Sequence, residues 1–199
     1  DMIQQPLLNA EELEREKGVI VEELNMYKDM PQAEIENVLE KAMWPKDALG
    51  RDIGGGKETV TKFNTEMFAS YMKRHYQTAN MLIGVSGKYD EKLFRELVKK
   101  YWSKLPKKSF HGWDKAGDKQ NKPRLAVQYK ATEQAHLALG FKAFSHTDKR
   151  NPILSVITAI LGGGMSSRLF IEVRERRGLA YYVRTTPVNY QDTGSVHIN

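Results

Sequence analysis

Apolar residues recur every three to four positions along much of this chain, and every second position in a few shorter stretches. The first spacing gathers side chains on one face of a helix, and the second on one face of a strand. The helical spacing predicts helices over residues 10–28, 31–43, 65–76, 91–102, 152–161 and 167–177. Side chains able to accept a bond from a free backbone N–H stand at several of the starts. They are Asn9, with Glu12 three positions on, then Asn64, Asp90, and Ser166 or Ser167. The apolar run 81–86 reads as a buried strand, and alternation predicts strands over 125–131 and 135–141 around a turn at Thr132-Glu133. Two more strands, 181–186 and 195–198, flank a turn at Asp192-Thr193-Gly194. Gly162 to Gly164 end one helix, and Gly178 releases the next into a strand. Runs of helix beside antiparallel strand pairs define an α+β chain. It reads as parts of two αβ domains, their antiparallel sheets flanked by helices: the later part of one over 1–105, a basic linker over 106–123, and the first part of another over 124–199.

Composition narrows the class. The 199 residues are 40% hydrophobic and 28% charged, with three Trp, as in an ordinary globular protein. No stretch approaches the roughly 20 apolar residues that cross a bilayer, so no membrane partner is expected. The absence of cysteine excludes disulfides and thiolate metal sites. Much of the net charge of +6 lies in residues 99–124, where lysines and Arg124 outnumber Asp114 and Asp118 among Pro106, Gly112, Gly117 and Pro123. That mixture reads as a solvated linker, and with no recognised reading motif beside it no nucleic-acid partner is expected. The chain opens on Asp1 and carries no start or targeting signal, which suggests a segment of something longer; the expected location is cytoplasmic. The loop from Gly50 to Lys57 has the glycines of a phosphate loop but not its order: Arg51 replaces the first Gly, and Glu58 stands where Ser or Thr would meet magnesium.

The first predicted helix holds an electrostatic problem. With Glu16 as origin, Leu13, Ile20, Leu24 and Tyr27 fall within about 80° on one side, and Val19 and Met26 on the other. Glu23 lies about 20° from Glu16, two turns along. Both carboxylates thus occupy the middle of an apolar stripe, where burial costs several kcal/mol unless a cation or a metal compensates. Ion pairing with another element, or a stripe bordering solvent, would also answer the problem.

A later stretch, LGGGMSSRLFIEVRERRGLAY at 161–181, places Arg174 near the end of one helix and Tyr181 just past a glycine break. On their own such residues often satisfy helix carbonyls or fill a core. The stretch resembles, residue for residue, the signature of the second half of pitrilysin/insulinase-family zinc peptidases, the group that includes the short processing peptidases. Glu16-Lys-Gly-Val-Ile-Val-Glu-Glu23, followed by Asn25 to Pro31, resembles that family's second metal-site helix.

The resemblance implies a zinc metalloendopeptidase that hydrolyses peptides or presequences with zinc-activated water. It implies that Glu23 is a zinc ligand, that Glu16 supports the site, and that Arg174 and Tyr181 contact substrate and the oxyanion. Arg168 and Arg177 do not match the family's functional positions. The family's His-x-x-Glu-His helix has no counterpart: none of His75, His111, His136, His146 and His197 has Glu-His at the required offset. Glu133-Gln-Ala-His136 falls on a predicted strand, where the two side chains face opposite ways. The expectation is therefore a central fragment, inactive alone, of a parent about twice as long. The parent would act on an unfolded peptide and pair as a homo- or heterodimer with a family member. A non-catalytic partner or scaffold subunit of a processing-peptidase-like complex is the alternative.

Overall fold

The computed structural model describes residues 2–106, 112–117 and 120–199. Of the basic linker expected over 106–123, residues 107–111 and 118–119 lie outside the described residues, as does His111. The architecture is α+β: helices α1 (Ala10–Asp29), α2 (Pro31–Met43), α3 (Lys57–Val60), α4 (Thr65–His75), α5 (Glu91–Trp102) and α6 (Asn151–Gly162), with strands β1 (Leu139–Ala143), β2 (Thr185–Asn189) and β3 (Gly194–Ile198).

The helix starts follow the caps. Asn9 Oδ1 accepts from the Glu11 and Glu12 N–H groups at 2.8 and 3.2 Å. Asn64 accepts from Met67 N–H, and Asp90 from Leu93 N–H, each at 2.9 Å. Glu12 does not complete a capping box; its carboxylate pairs instead with Arg15 at 2.8 Å, one turn along.

Two compact units form, and they interleave along the chain. Unit 1 comprises residues 1–22 and 56–113, and unit 2 comprises 23–55 and 114–199. Helix α1 contributes to both, changing unit between Glu22 and Glu23. Residues 23–55, expected with the first domain, thus cluster with the chain beyond 114.

Unit 1 is a helical layer. Val60 and Gln77 are buried in it, and the Gln77 amide donates to Lys73 O at 2.5 Å. Residues 81–86 do not form the expected strand. Leu82 is fully exposed and Val85 partly so, and the run has no ladder partner among the described residues. An apolar run becomes a strand only where a neighbour accepts its backbone bonds.

Unit 2 carries the sheet, three antiparallel strands in the order β1-β3-β2. Gly140 and Thr186 both face His197, and Lys142 and Val188 both face Ser195, so these residues share one face. Helix α2 covers that face: the Lys142 ammonium sits 3.8 Å from the ring of Trp44, the α2 C-cap, and Glu36 reaches His197. Helix α6 packs against β2 from the other side, where Gly162 meets the backbone of Thr185. The strand expected over 181–186 begins only at Thr185 and runs to Asn189, and the one expected over 135–141 becomes 139–143. Residues 125–131 pair with no strand among the described residues.

Candidate functional site

The corner at 161–181 holds the clearest juxtaposition. Ser167 starts the helical stretch through its backbone: its N–H donates to Gly164 O and its carbonyl accepts from Ile171 N–H, both at 3.0 Å. Its hydroxyl is buried with no hydrogen-bond partner, so the side-chain cap expected of it does not form. From Phe170 to Glu175 the coil widens to a π-helix, with Arg176 N–H donating to Ile171 O at 2.9 Å. Such widened turns insert one residue into the helical repeat and re-aim the side chains around them. Gly178, at φ +60°, then reverses the chain, and Leu179 N–H donates to Val173 O at 3.0 Å. A side chain at Gly178 would be strained in that left-handed conformation.

The result is that Arg174 and Tyr181, seven positions apart, meet. The Arg174 guanidinium carbon lies 4.7 Å from the centroid of the Tyr181 ring and 4.7 Å from that of Phe170. Its nearest carboxylate contact is Glu175, at 4.0 Å. Glu172 is taken by Arg176 at 2.5 Å and approached by Arg177 at 3.8 Å. Arg174 is thus held by ring faces, its N–H edges not consumed by a close ion pair, beside a phenol that is 86% exposed.

Glu16 and Glu23 lie on α1 at the expected spacing, but the stripe is not buried. Both are exposed, as are Val19, Met26 and Tyr27, whereas Leu24 is buried. The desolvation cost expected of these carboxylates therefore does not arise among the described residues, and neither forms an ion pair or hydrogen bond there. No cluster of three or more His, Asp or Glu able to hold a metal occurs among the described residues. His136 sits before β1 rather than on a strand and lines an open groove of about 490 Å³ with Asp29 and Glu133. No hydrogen bond or ion pair joins Glu23 to Arg174 or Tyr181 among the described residues.

One polar constellation was missed from sequence. Glu36 on α2 lies 2.9 Å from His197 Nδ1, and His197 Nε2 lies 2.9 Å from Ser195 Oγ. A carboxylate only accepts, so Nδ1 carries the proton given to Glu36. Asn199 donates to the other Glu36 oxygen. The bond from His197 holds the Glu36 carboxyl below its ordinary value, against the opposing effect of burial. Nearby, Tyr190 donates to Glu40 at 2.9 Å, and burial, then that carboxylate, push its phenol far above the usual range. Ser195, His197 and Glu36 have the connectivity of a hydrolase triad. But Ser195 is 0% exposed and His197 only 3%, so no substrate carbonyl can reach the hydroxyl. The relay fastens α2 to the sheet.

Comparison with known proteins identifies the family. The family described as Insulinase (Peptidase family M16) matches residues 1–57, and the one described as Peptidase M16 inactive domain matches 62–199. The chain is 36% identical over 198 residues to the uncharacterized zinc protease YmxG of Bacillus subtilis, covering all of this chain and 48% of that protein. It is 31% identical over 206 residues to an uncharacterized zinc protease of Streptomyces coelicolor, covering 98% of this chain and 44% of that one. Among solved structures, a protease from Helicobacter pylori superposes with a TM-score of 0.82 at 22% identity, over 96% of this chain and 48% of that one. A peptidase M16 inactive domain from Pseudomonas fluorescens gives 0.80 at 23%, over 99% and 48%. These structures share the fold. The chain belongs to the M16 (insulinase, or pitrilysin) peptidase family, and it spans about half the length of the curated relatives it matches.

Proposed function

We propose that this chain is part of a zinc-dependent metalloendopeptidase. Within it, residues 1–105 would belong to the zinc-site half and 124–199 to a substrate-clamping half. The observation that carries this reading is the meeting of Arg174 and Tyr181 at a π-helical corner, with the guanidinium in no close ion pair among the described residues. Relatives named zinc proteases support it.

The residues fit a zinc site in part. Glu23 offers an exposed carboxylate that nothing else engages among the described residues, and oxygen donors of this kind complete three-ligand catalytic sites. It is one donor only, so the other ligands and the general base belong to the rest of the parent, and the 199 residues alone should be inactive. When bound, zinc supplies Lewis-acid activation of peptide hydrolysis. Glu23 would hold it, with Glu16 two turns back on the same helix supporting that carboxylate's field. Arg174 and Tyr181 would donate to the substrate peptide's carbonyl oxygens and to the negative charge that develops on the scissile one. The substrate would be an unfolded peptide, and the parent would pair with a second family member.

One finding favours a second reading, a non-catalytic subunit: the family matching 62–199 is described as the inactive domain. Zinc content and chelator-sensitive cleavage of a quenched peptide by the full-length parent decide between them. One zinc per chain, with both zinc and cleavage falling by at least about tenfold in Glu23→Gln, is the expected outcome for a lost ligand. No zinc and no cleavage would overturn the peptidase reading in favour of the subunit.

A further inference from the structure

We propose that Phe170 is a positioning residue for the Arg174–Tyr181 clamp; the inference rests on the reading of those two residues as substrate contacts. A guanidinium can be oriented by carboxylates, which consume its N–H donors, or by aromatic faces, which leave the donors at its edge free. At this corner the carboxylates are directed elsewhere. Glu172 bonds Arg176 at 2.5 Å, and Glu175 comes no closer to Arg174 than 4.0 Å. What remains against the Arg174 guanidinium is two rings, each centroid 4.7 Å from its central carbon.

The two rings differ in what they can do. Tyr181 is 86% exposed, so it can engage a ligand but has little packing around it. Phe170 is half-buried, opens the π-helical turn, and stands one helical turn before Arg174. Spacing of four positions stacks side chains on one helix face. Phe170 therefore provides the half-buried floor against which Arg174 rests, and Arg174 in turn backs the exposed phenol. A phenyl ring has no donor or acceptor, so it orients the guanidinium without competing with a peptide carbonyl for it.

The experiment is a double-mutant cycle on the full-length parent. Phe170→Leu keeps an apolar side chain but removes the ring. It should lower kcat/KM for a quenched peptide about five- to tenfold, the span of a partly exposed cation–π contact. Phe170→Tyr should restore it. In an Arg174→Ala background, Phe170→Leu should have almost no further effect. If Phe170→Leu instead slows Arg174→Ala by the same factor, Phe170 merely packs, and the proposal is overturned. A direct readout separates this from the peptidase reading. In 15N-arginine-labelled parent, the Nε–H resonance that disappears in Arg174→Ala should lie upfield of the other arginines, and should move back in Phe170→Leu. An unshifted resonance overturns the proposal even in an active enzyme. An upfield resonance in a parent without cleavage upholds the positioning and overturns only the peptidase reading.

Discussion

At the scale of single residues, the buried polar relay around His197 and the exposed corner around Arg174 have different work. His197 bridges Ser195 and Glu36 with both ring nitrogens occupied. Replacing it by Ala strands a fully buried hydroxyl and half of a carboxylate's partners, so His197→Ala should lower unfolding free energy by about 1–3 kcal/mol, as read from urea denaturation. The pH dependence has a definite sign. The Glu36 carboxyl is lowered in the folded state, so its contribution is fully present above its unfolded value near 4.5 and is lost as pH falls through the lower folded value. Glu36→Gln should therefore flatten the acid limb of a stability-against-pH curve measured below about pH 5, and a wild-type slope there would refute this. Little of the relay was legible beforehand: Glu36 and His197 are 161 positions apart, and neither breaks a local pattern. Arg174 and Tyr181 could be singled out because they stand in a long signature; Phe170 could not, because a Phe on a helix face reads as core.

At the scale of elements, helices were legible where caps declare them. Asn9, Asn64 and Asp90 all cap as their positions foretold. The π-turn was not, since nothing in FIEVRE distinguishes a repeat of five from one of four. Strands were legible as extended chain but not as strands. Along 125–129, Leu125, Val127 and Tyr129 point to solvent, Tyr129 at 91%. On the other side Arg124 donates to Ala42 O and Met43 O, Gln128 approaches Glu34, and Lys130 pairs with Asp29. The period of two is present, as alternation predicts, yet the backbone has no ladder. Pairing is a property of the neighbour, which alternation does not encode. Between α6 and β2 the decisive residue is Gly162, where an added Cβ would stand 2.5 Å from Thr185 N. Backbone cannot yield as a flexible side chain can, so Gly162→Ala should cost about 1–3 kcal/mol in urea unfolding. Gly164→Ala, with open space around it, should be nearly neutral by comparison.

At the scale of the molecule, the compact units ignore the order of the sequence. Charge and composition point to a division near 106–123, yet residues 23–55 cluster with residues 114–199. The reason is physical: the sheet face bearing Ser195 and His197 needs an acidic partner and a cover, and α2 supplies Glu36 and Trp44. A truncated chain of residues 124–199 lacks that helix. It should bind a hydrophobic dye and melt without a cooperative transition, while the whole chain melts cooperatively; an equally sharp transition in the truncated chain would show that α2 is dispensable.

The bond between Glu36 and His197 also sets a clock. A ribosome adding about 5–20 residues per second makes α2 roughly 8–30 s before the strand it covers. Through that interval the central strand of its sheet is missing, so the Glu36 carboxylate that the finished fold pairs with His197 waits in water. Any factor that shields nascent apolar surface would have to attend α2 until residues 194–198 complete the sheet beneath it.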